Sequence, residues 1–212
     1  MFAQNRRLER KVSVLQKIDK KFIVKNKIDL THYEQSNQFL EGTGSMVLDR
    51  ENHLAYACLS PRTDKAVLQD FCNQLNYQPI CFWALDGGAQ PIYHTNVMMC
   101  VADKYVVICL TSISDLLERQ LVTNAITASG KAIIEINFNQ MNQFAGNMLQ
   151  VHNKEGKVFL VMSSQAFRSL NKEQISEIEK YNQIIHSDIT TIETNGGGSA
   201  RCMMAEIFLP KK

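Results

Sequence analysis

The sequence predicts an α/β propeller built from pseudo-repeated ββαβ units, and three observations predict it. Three segments share one plan of apolar strand, polar break, second apolar strand, Ser/Thr, helix and strand. The equivalent Ser60, Thr111 and Ser163 are spaced by 51 and 52 residues. Each segment is led in by a short polar or glycine-rich stretch, so that equivalent positions recur along the chain. Units of strand and helix that cannot bury their own faces must stack on one another, and a ring removes the exposed edges.

The elements are read in chain order. Arg7 to Lys20 reads as an amphipathic helix followed by a strand at Phe22-Ile23-Val24, the tail of a unit with no hairpin before it. The first whole unit has strands at Met46-Val47-Leu48 and Leu54 to Leu59, a helix from about Thr63 to Leu75 after Ser60, and a strand at Ile80 to Trp83. The second has strands at Val97 to Val101 and Tyr105 to Leu110, a helix from about Ser114 to Thr127, and a strand at Ala132 to Ile136. The third has strands at Met148 to Val151 and Val158 to Met162, helices after Ser163-Ser164, and a strand at Thr190-Thr191-Ile192-Glu193. A fourth hairpin is expected from Ala200-Arg201-Cys202-Met203 to Ile207-Phe208-Leu209. The 212 residues are read as one domain.

Composition limits the function. The 23 Lys and Arg nearly balance 21 Asp and Glu. The basic run Arg6, Arg7, Arg10, Lys11, Lys17, Lys20, Lys21 lacks the interleaved stacking aromatics of a nucleic-acid surface and reads as a solvated helix face. No apolar run is long enough to span a membrane, and Met1 to Asn5 lacks the apolar core of a secretion signal. The six cysteines include no Cys-x-x-Cys pair and mostly sit in apolar strands, so buried free thiols of a cytoplasmic protein are expected, with no metal and no cofactor.

In a ring of repeats the lead-in stretches face one axis. Glu41-Gly42-Thr43-Gly44-Ser45, His94-Thr95-Asn96, Gly146-Asn147 and Gly196 to Cys202 should therefore converge. That selects a carboxylate, an imidazole and a thiol. An ionised cysteine is strongly nucleophilic, a histidine moves protons near neutral pH, and a carboxylate orients the imidazole or grips substrate nitrogens. Taken singly, each residue also has a structural reading: a core thiol, a hydrogen-bonded histidine, a surface acid, a flexible glycine turn.

These lead-in motifs resemble those of the arginine deiminase and dimethylarginine dimethylaminohydrolase group of the amidinotransferase superfamily, with bacterial citrulline-utilisation hydrolases the most similar. The resemblance rests on Phe39 to Arg50, Ala57 to Thr63, Tyr93 to Met99, Phe144 to Met148 and Gly196 to Met203, in that order. It implies a five-bladed propeller and a hydrolase acting on the C–N bonds of a ureido or guanidino amino acid. By the same resemblance Cys202 attacks the central carbon, His94 is general acid and then base, and Glu41 binds substrate nitrogens and assists His94. Arg62, in a Ser-x-Arg-Thr motif, binds the amino-acid carboxylate, while Asn96, Asn147 and Arg201 line the site. Two acids common among relatives are absent here: Thr43-Gly44 stands where many have Gly-Asp, and Asn96 stands where arginine deiminases have Asp. Fewer carboxylates favour a neutral substrate such as citrulline over a cationic one. Relatives also carry about half a domain upstream, so the chain is expected to lack an N-terminal part. The alternative reading is a catalytically incomplete member with a binding or association role, and homodimerisation is left open.

Overall fold

The computed structural model describes residues 1–212. Three copies of one three-stranded sheet carry the architecture. In the first, β1 (Val47–Asp49) pairs antiparallel with β2 (Leu54–Cys58). The chain then crosses through α2 (Lys65–Leu75) to β3 (Gln78–Phe82), which lies parallel to β2. The second copy is β4 (Met99–Val101), β5 (Tyr105–Ile108), α4 (Leu116–Ala128) and β6 (Ala132–Glu135), with the same pairing. The third is β7 (Leu149–His152), β8 (Val158–Ser163), α6 (Ser164–Ser169), α7 (Lys172–Glu179) and β9 (Gln183–Ser187). The first strands β1, β4 and β7 lie side by side, which is the propeller arrangement of ββαβ units.

Alternation explains how each sheet is filled. In β2, Ala55 and Ala57 pack with Leu68 and Cys72 of α2, while Tyr56 and Cys58 face the large core shared by all three sheets. In β5 every residue from Tyr105 to Ile108 is buried, because both faces are covered and the strand can be uniformly apolar. The helices over the first two sheets begin at Asp64 and Asp115, whose carboxylates accept from backbone N–H groups of the first turn. These acids, and not Ser60 or Thr111, are the N-caps; only in the third copy does the expected Ser163 cap its helix.

Four sequence expectations are corrected. The strand expected at Thr190 to Glu193 is helical, α8 (Thr190–Gly196), and the third parallel strand lies earlier at Gln183–Ser187. The side chain of Asp188 accepts from Thr190 N–H and Oγ1–H, and this local turn opens the helix in place of a ladder. The expected helix from Arg7 to Lys20 is broken: a 3₁₀ segment spans Gln4–Glu9, and α1 runs Val12–Lys21. Arg7, Arg10 and the terminal ammonium all converge on Glu34, which holds the chain extended at Arg10 and Lys11. The strand expected at Phe22-Ile23-Val24 is reduced to a bridge between Phe22 and Lys211, with Ile23 N–H donating to Pro210 O at 2.8 Å. The fourth hairpin does not form either. Ala200–Met203 is a 3₁₀ turn closed by Cys202 N–H on Ser199 O at 3.0 Å, and Ile207 to Leu209 has no ladder partner.

Candidate active site

The lead-in stretches are stitched to one another across the ends of the first strands. Asn96 N–H donates to Gly44 O (3.3 Å), Asn147 Nδ2–H to Asn96 O (2.8 Å), and Arg201 N–H to Asn147 O (3.4 Å). A second seam lies behind the first: Thr95 Oγ1–H donates to Ser45 O at 2.6 Å and accepts from Cys58 N–H at 2.9 Å. Ser45 Oγ accepts from Glu41 N–H and donates to Arg62 O, both at 2.8 Å. Thr95 and Ser45 are both fully buried. Neither was selected from sequence. The signal for them was their position beside the chemistry-bearing residues in two equivalent lead-ins, and it shows only once the stretches touch.

Within this frame Glu41 and His94 meet, with His94 Nε2 2.8 Å from Glu41 Oε2. His94 is the N-cap residue of α3 (Thr95–Met98), and Gly44 lies against its ring. Burial pushes His94 below its ordinary value of 6.5 despite the opposing pull of the Glu41 carboxylate, so the ring is neutral at neutral pH and donates Nε2–H to Glu41. Burial also opposes charge on Glu41. Hydrogen bonds from Phe2 N–H and His94, with the nearby Arg62, outweigh it and hold the carboxyl below the usual carboxylate range.

Both shifts act on stability in the same direction. The unfolded chain takes up the His94 proton more readily than the folded one, so the stability from keeping this ring neutral is present above about pH 6.5 and is lost as pH falls toward the folded value. Glu41 contributes stability present above its unfolded value and lost as pH falls through its lower folded value. The melting temperature is therefore expected to fall between pH 7 and pH 5, and to fall less in His94→Asn. Scanning calorimetry at the two pH values reads this; equal falls in both proteins would remove His94 as the responsible group.

The thiol of Cys202 is held by two amides. Asn147 Nδ2 lies 3.3 Å and Asn96 Nδ2 3.8 Å from its Sγ. Glycines permit this approach: Gly197, at φ 65°, ends α8, and a side chain at Gly198 would crowd Cys202 at 3.1 to 3.2 Å. Ser199 Oγ–H donates to the buried carboxylate of Glu193 at 2.7 Å and anchors the loop. Cys202 is exposed, whereas Cys58, Cys72, Cys100 and Cys109 are buried and Cys81 is half-buried. Burial holds the thiols of Cys58 and Cys100 up to about 12 and that of Cys72 up to about 11.

Arg62 lies beside the pair, 3.7 Å from Glu41 Oε2, with its guanidinium 5.0 Å from the ring centre of Tyr93. Tyr93 also donates its hydroxyl to Gly197 O at 3.2 Å, so it ties the Arg62 side of the site to the cysteine loop. Phe2 donates its N–H to Glu41 Oε1 at 2.8 Å, a contact that no sequence pattern announces. Arg201 is not brought into the group: its guanidinium is engaged by Met204 O at 3.0 Å and Glu206 at 3.3 Å. It lines instead a cavity of about 480 Å³ along β1, β4 and β7, together with Val47, Met99, Leu149 and Phe208. That cavity includes Thr43 but not Glu41, His94 or Cys202. No three His, Cys, Asp or Glu side chains are grouped to hold a metal, and no helix is long and apolar enough to cross a membrane.

Gly44 offers a test of the pair's geometry. A Cβ there would stand 2.7 Å from His94 Nδ1, so Gly44→Ala must push the ring off Glu41. If His94 moves protons as the family resemblance implies, turnover is expected to drop about a hundredfold, within the usual contribution of a positioned acid–base group. Steady-state kinetics alongside a melting curve would check it, and unchanged turnover would show that the ring position does not matter.

Solved structures share this fold. The N-terminal domain of ArgZ, an arginine dihydrolase from the ornithine-ammonia cycle in cyanobacteria, bound to substrate as a mutant, superposes with a TM-score of 0.64 at 16% identity. The match covers 81% of this chain and 58% of that one. AgrE, as a mutant in a binary complex with L-arginine, superposes with a TM-score of 0.64 at 18% identity, covering 82% of this chain and 24% of that one. The chain thus spans under two thirds of the length of these relatives. No curated protein matches it significantly. The family model described as N,N dimethylarginine dimethylhydrolase, eukaryotic, matches residues 1–209, and the chain belongs to that family.

Proposed function

We propose that the protein is a cysteine-dependent hydrolase of the C–N bonds of a ureido or guanidino amino acid, with citrulline the preferred substrate class. One observation carries this reading. Lead-ins far apart in sequence place a His94–Glu41 pair at 2.8 Å and an exposed, amide-held Cys202 thiol on one stitched frame.

In this reading the Cys202 proton passes to His94 as Sγ bonds to the central carbon of the substrate. The carbon–nitrogen bond breaks, and the leaving ammonia or amine takes that proton from His94. The acyl-type intermediate on sulfur is then opened by water, whose proton His94 accepts and returns to the thiolate. Glu41 keeps the imidazole oriented and accepts from substrate N–H groups. Arg62 supplies a fixed cation for the amino-acid carboxylate.

The preference for a neutral substrate rests on charge. Glu41 is the one carboxylate brought into the group, and it already faces His94 and Arg62. Asn96, where arginine deiminase-like relatives have an acid, is an amide whose Oδ1 is buried without a partner. A cationic guanidinium would find little uncompensated negative charge here, whereas a ureido group needs only hydrogen bonds. A panel of citrulline, arginine, methylarginines and agmatine, with ammonia release followed, tests the reading. Citrulline is expected to be turned over at least tenfold faster than arginine, and a preference for arginine would overturn it.

A second reading, binding or association without turnover, is favoured by Phe2, whose N–H already occupies Glu41 Oε1. Calorimetric binding of citrulline with no ammonia release would support it.

A further inference from the structure

We infer that Asn147 is a positioning residue that sets the reactivity of the Cys202 thiol, and not a residue that touches substrate. The inference rests on Cys202 being the nucleophile, and it gives Asn147 a role different from the site-lining one expected from sequence.

Burial and valence lead to this role. Asn147 is 2% exposed, too enclosed to present its amide to a ligand. Its Nδ2 has two hydrogens and two partners, Asn96 O at 2.8 Å and Cys202 Sγ at 3.3 Å. Its Oδ1 stands 3.5 Å from the same sulfur. One amide therefore serves both protonation states. The thiol donates S–H to Oδ1, and the thiolate accepts N–H from Nδ2. Hydrogen bonds to the charged form favour that form, and those to an ion are the stronger kind. The second amide, Asn96 Nδ2, is farther off at 3.8 Å and contributes less.

The amide can act this way because it cannot turn away. Its main chain donates N–H to Phe144 O at 2.9 Å and accepts from Arg201 N–H, one residue before the cysteine. The preceding Gly146 is pressed against the backbone of Val97 and Met98, with no room for a Cβ. Asn147 thus reads the position of Cys202 through the backbone and the charge of its sulfur through the side chain. The titratable groups whose charges reach the thiol are Arg6 and Tyr93; His94 and Glu41, on neighbouring lead-ins, pair with each other. Substituting Asn147 alters none of them.

The test needs no turnover, so it stands apart from the question of substrate. The full chain is alkylated with iodoacetamide at pH 7 and pH 9.5, and the Cys202 adduct is quantified by peptide mass spectrometry. In Asn147→Ala the ratio of the rate at pH 7 to that at pH 9.5 is expected to fall about fourfold, because loss of one hydrogen bond to a charged group lowers the rate at pH 7 about tenfold and that at pH 9.5 in part. In Asn147→Asp, isosteric but carrying a charge that repels the thiolate, it should fall further. Ratios within twofold of the unaltered chain, in whichever variant retains its circular dichroism spectrum, would overturn the inference. The unaltered chain supplies an independent reading. The Raman S–H stretch of Cys202, assigned by its loss in Cys202→Ala, is expected at the lowered frequency of a hydrogen-bonded thiol. A free-thiol frequency there overturns it equally.

Discussion

Cys202→Ser is expected to abolish ammonia release, by roughly a thousandfold or more, while Cys109→Ser retains it. The two substitutions replace the same atom by the same atom in opposite surroundings. At Cys202 the sulfur is exposed and lies against amide N–H groups; a serine hydroxyl in that place remains protonated and is a far weaker nucleophile. At Cys109 the sulfur is buried at the end of β5, and burial keeps it protonated. Thr111 Oγ1 stands 3.4 Å away and can pair with a new hydroxyl, so the stability cost should stay near about 1 kcal/mol. Ammonia assays and melting curves on the two variants separate the outcomes. Activity surviving in Cys202→Ser would remove the thiol from the mechanism. Loss of both activities with intact folding would mean that the exposed thiol is not special.

Gly146→Ala is expected to be the most destabilising small substitution near the site, by about 3 kcal/mol, lowering the melting temperature by about 10 °C. A Cβ there would stand 2.4 Å from Val97 O and 2.7 Å from Met98 C. Both are backbone atoms at the end of α3, at the seam of the second and third units, so no side chain can rotate aside. The seam must open, and with it the bond from Asn147 to Asn96 O that joins the two lead-ins. Gly42→Ala is the useful contrast. Its Cβ would meet nothing within 4 Å, and its φ of 55° leaves only the backbone strain of a left-handed residue, about 1 kcal/mol. Thermal melts of the two variants would decide it, and equal losses would show that close approach at Gly146 is not the cause.

Much of the fold was legible because each ββαβ unit advertises itself locally. The apolar runs around Tyr56, Val106 and Leu160, with polar turns before them, lie in the central strands as expected. The lead-ins were legible as positions, since a repeat maps equivalent residues to one place. Errors came where two local signals competed. Thr190 to Glu193 has β-branched residues enough for a strand, yet Asp188 starts a helix by capturing Thr190. Ala200 to Met203 follows glycines as a strand might, yet the chain folds back on Ser199. Ser60 and Thr111 looked like caps because they precede helices, but Asp64 and Asp115 stand nearer the first turn and accept its N–H groups.

The division at the site follows the same line. The residue types and their spacing by themselves determined that a carboxylate, an imidazole and a thiol recur at equivalent lead-ins, because periodicity is a property of the chain alone. Only the tertiary structure decided their partners: Glu41 on His94, Asn147 on Cys202, Arg201 turned to Glu206, and Phe2 on Glu41. Apart from Arg201 and Glu206, which are five apart, those choices depend on hydrogen bonds between residues 39 to 55 positions apart, and on whether a backbone leaves room for a side chain. Distance and burial of that kind exist only once the three units are packed together.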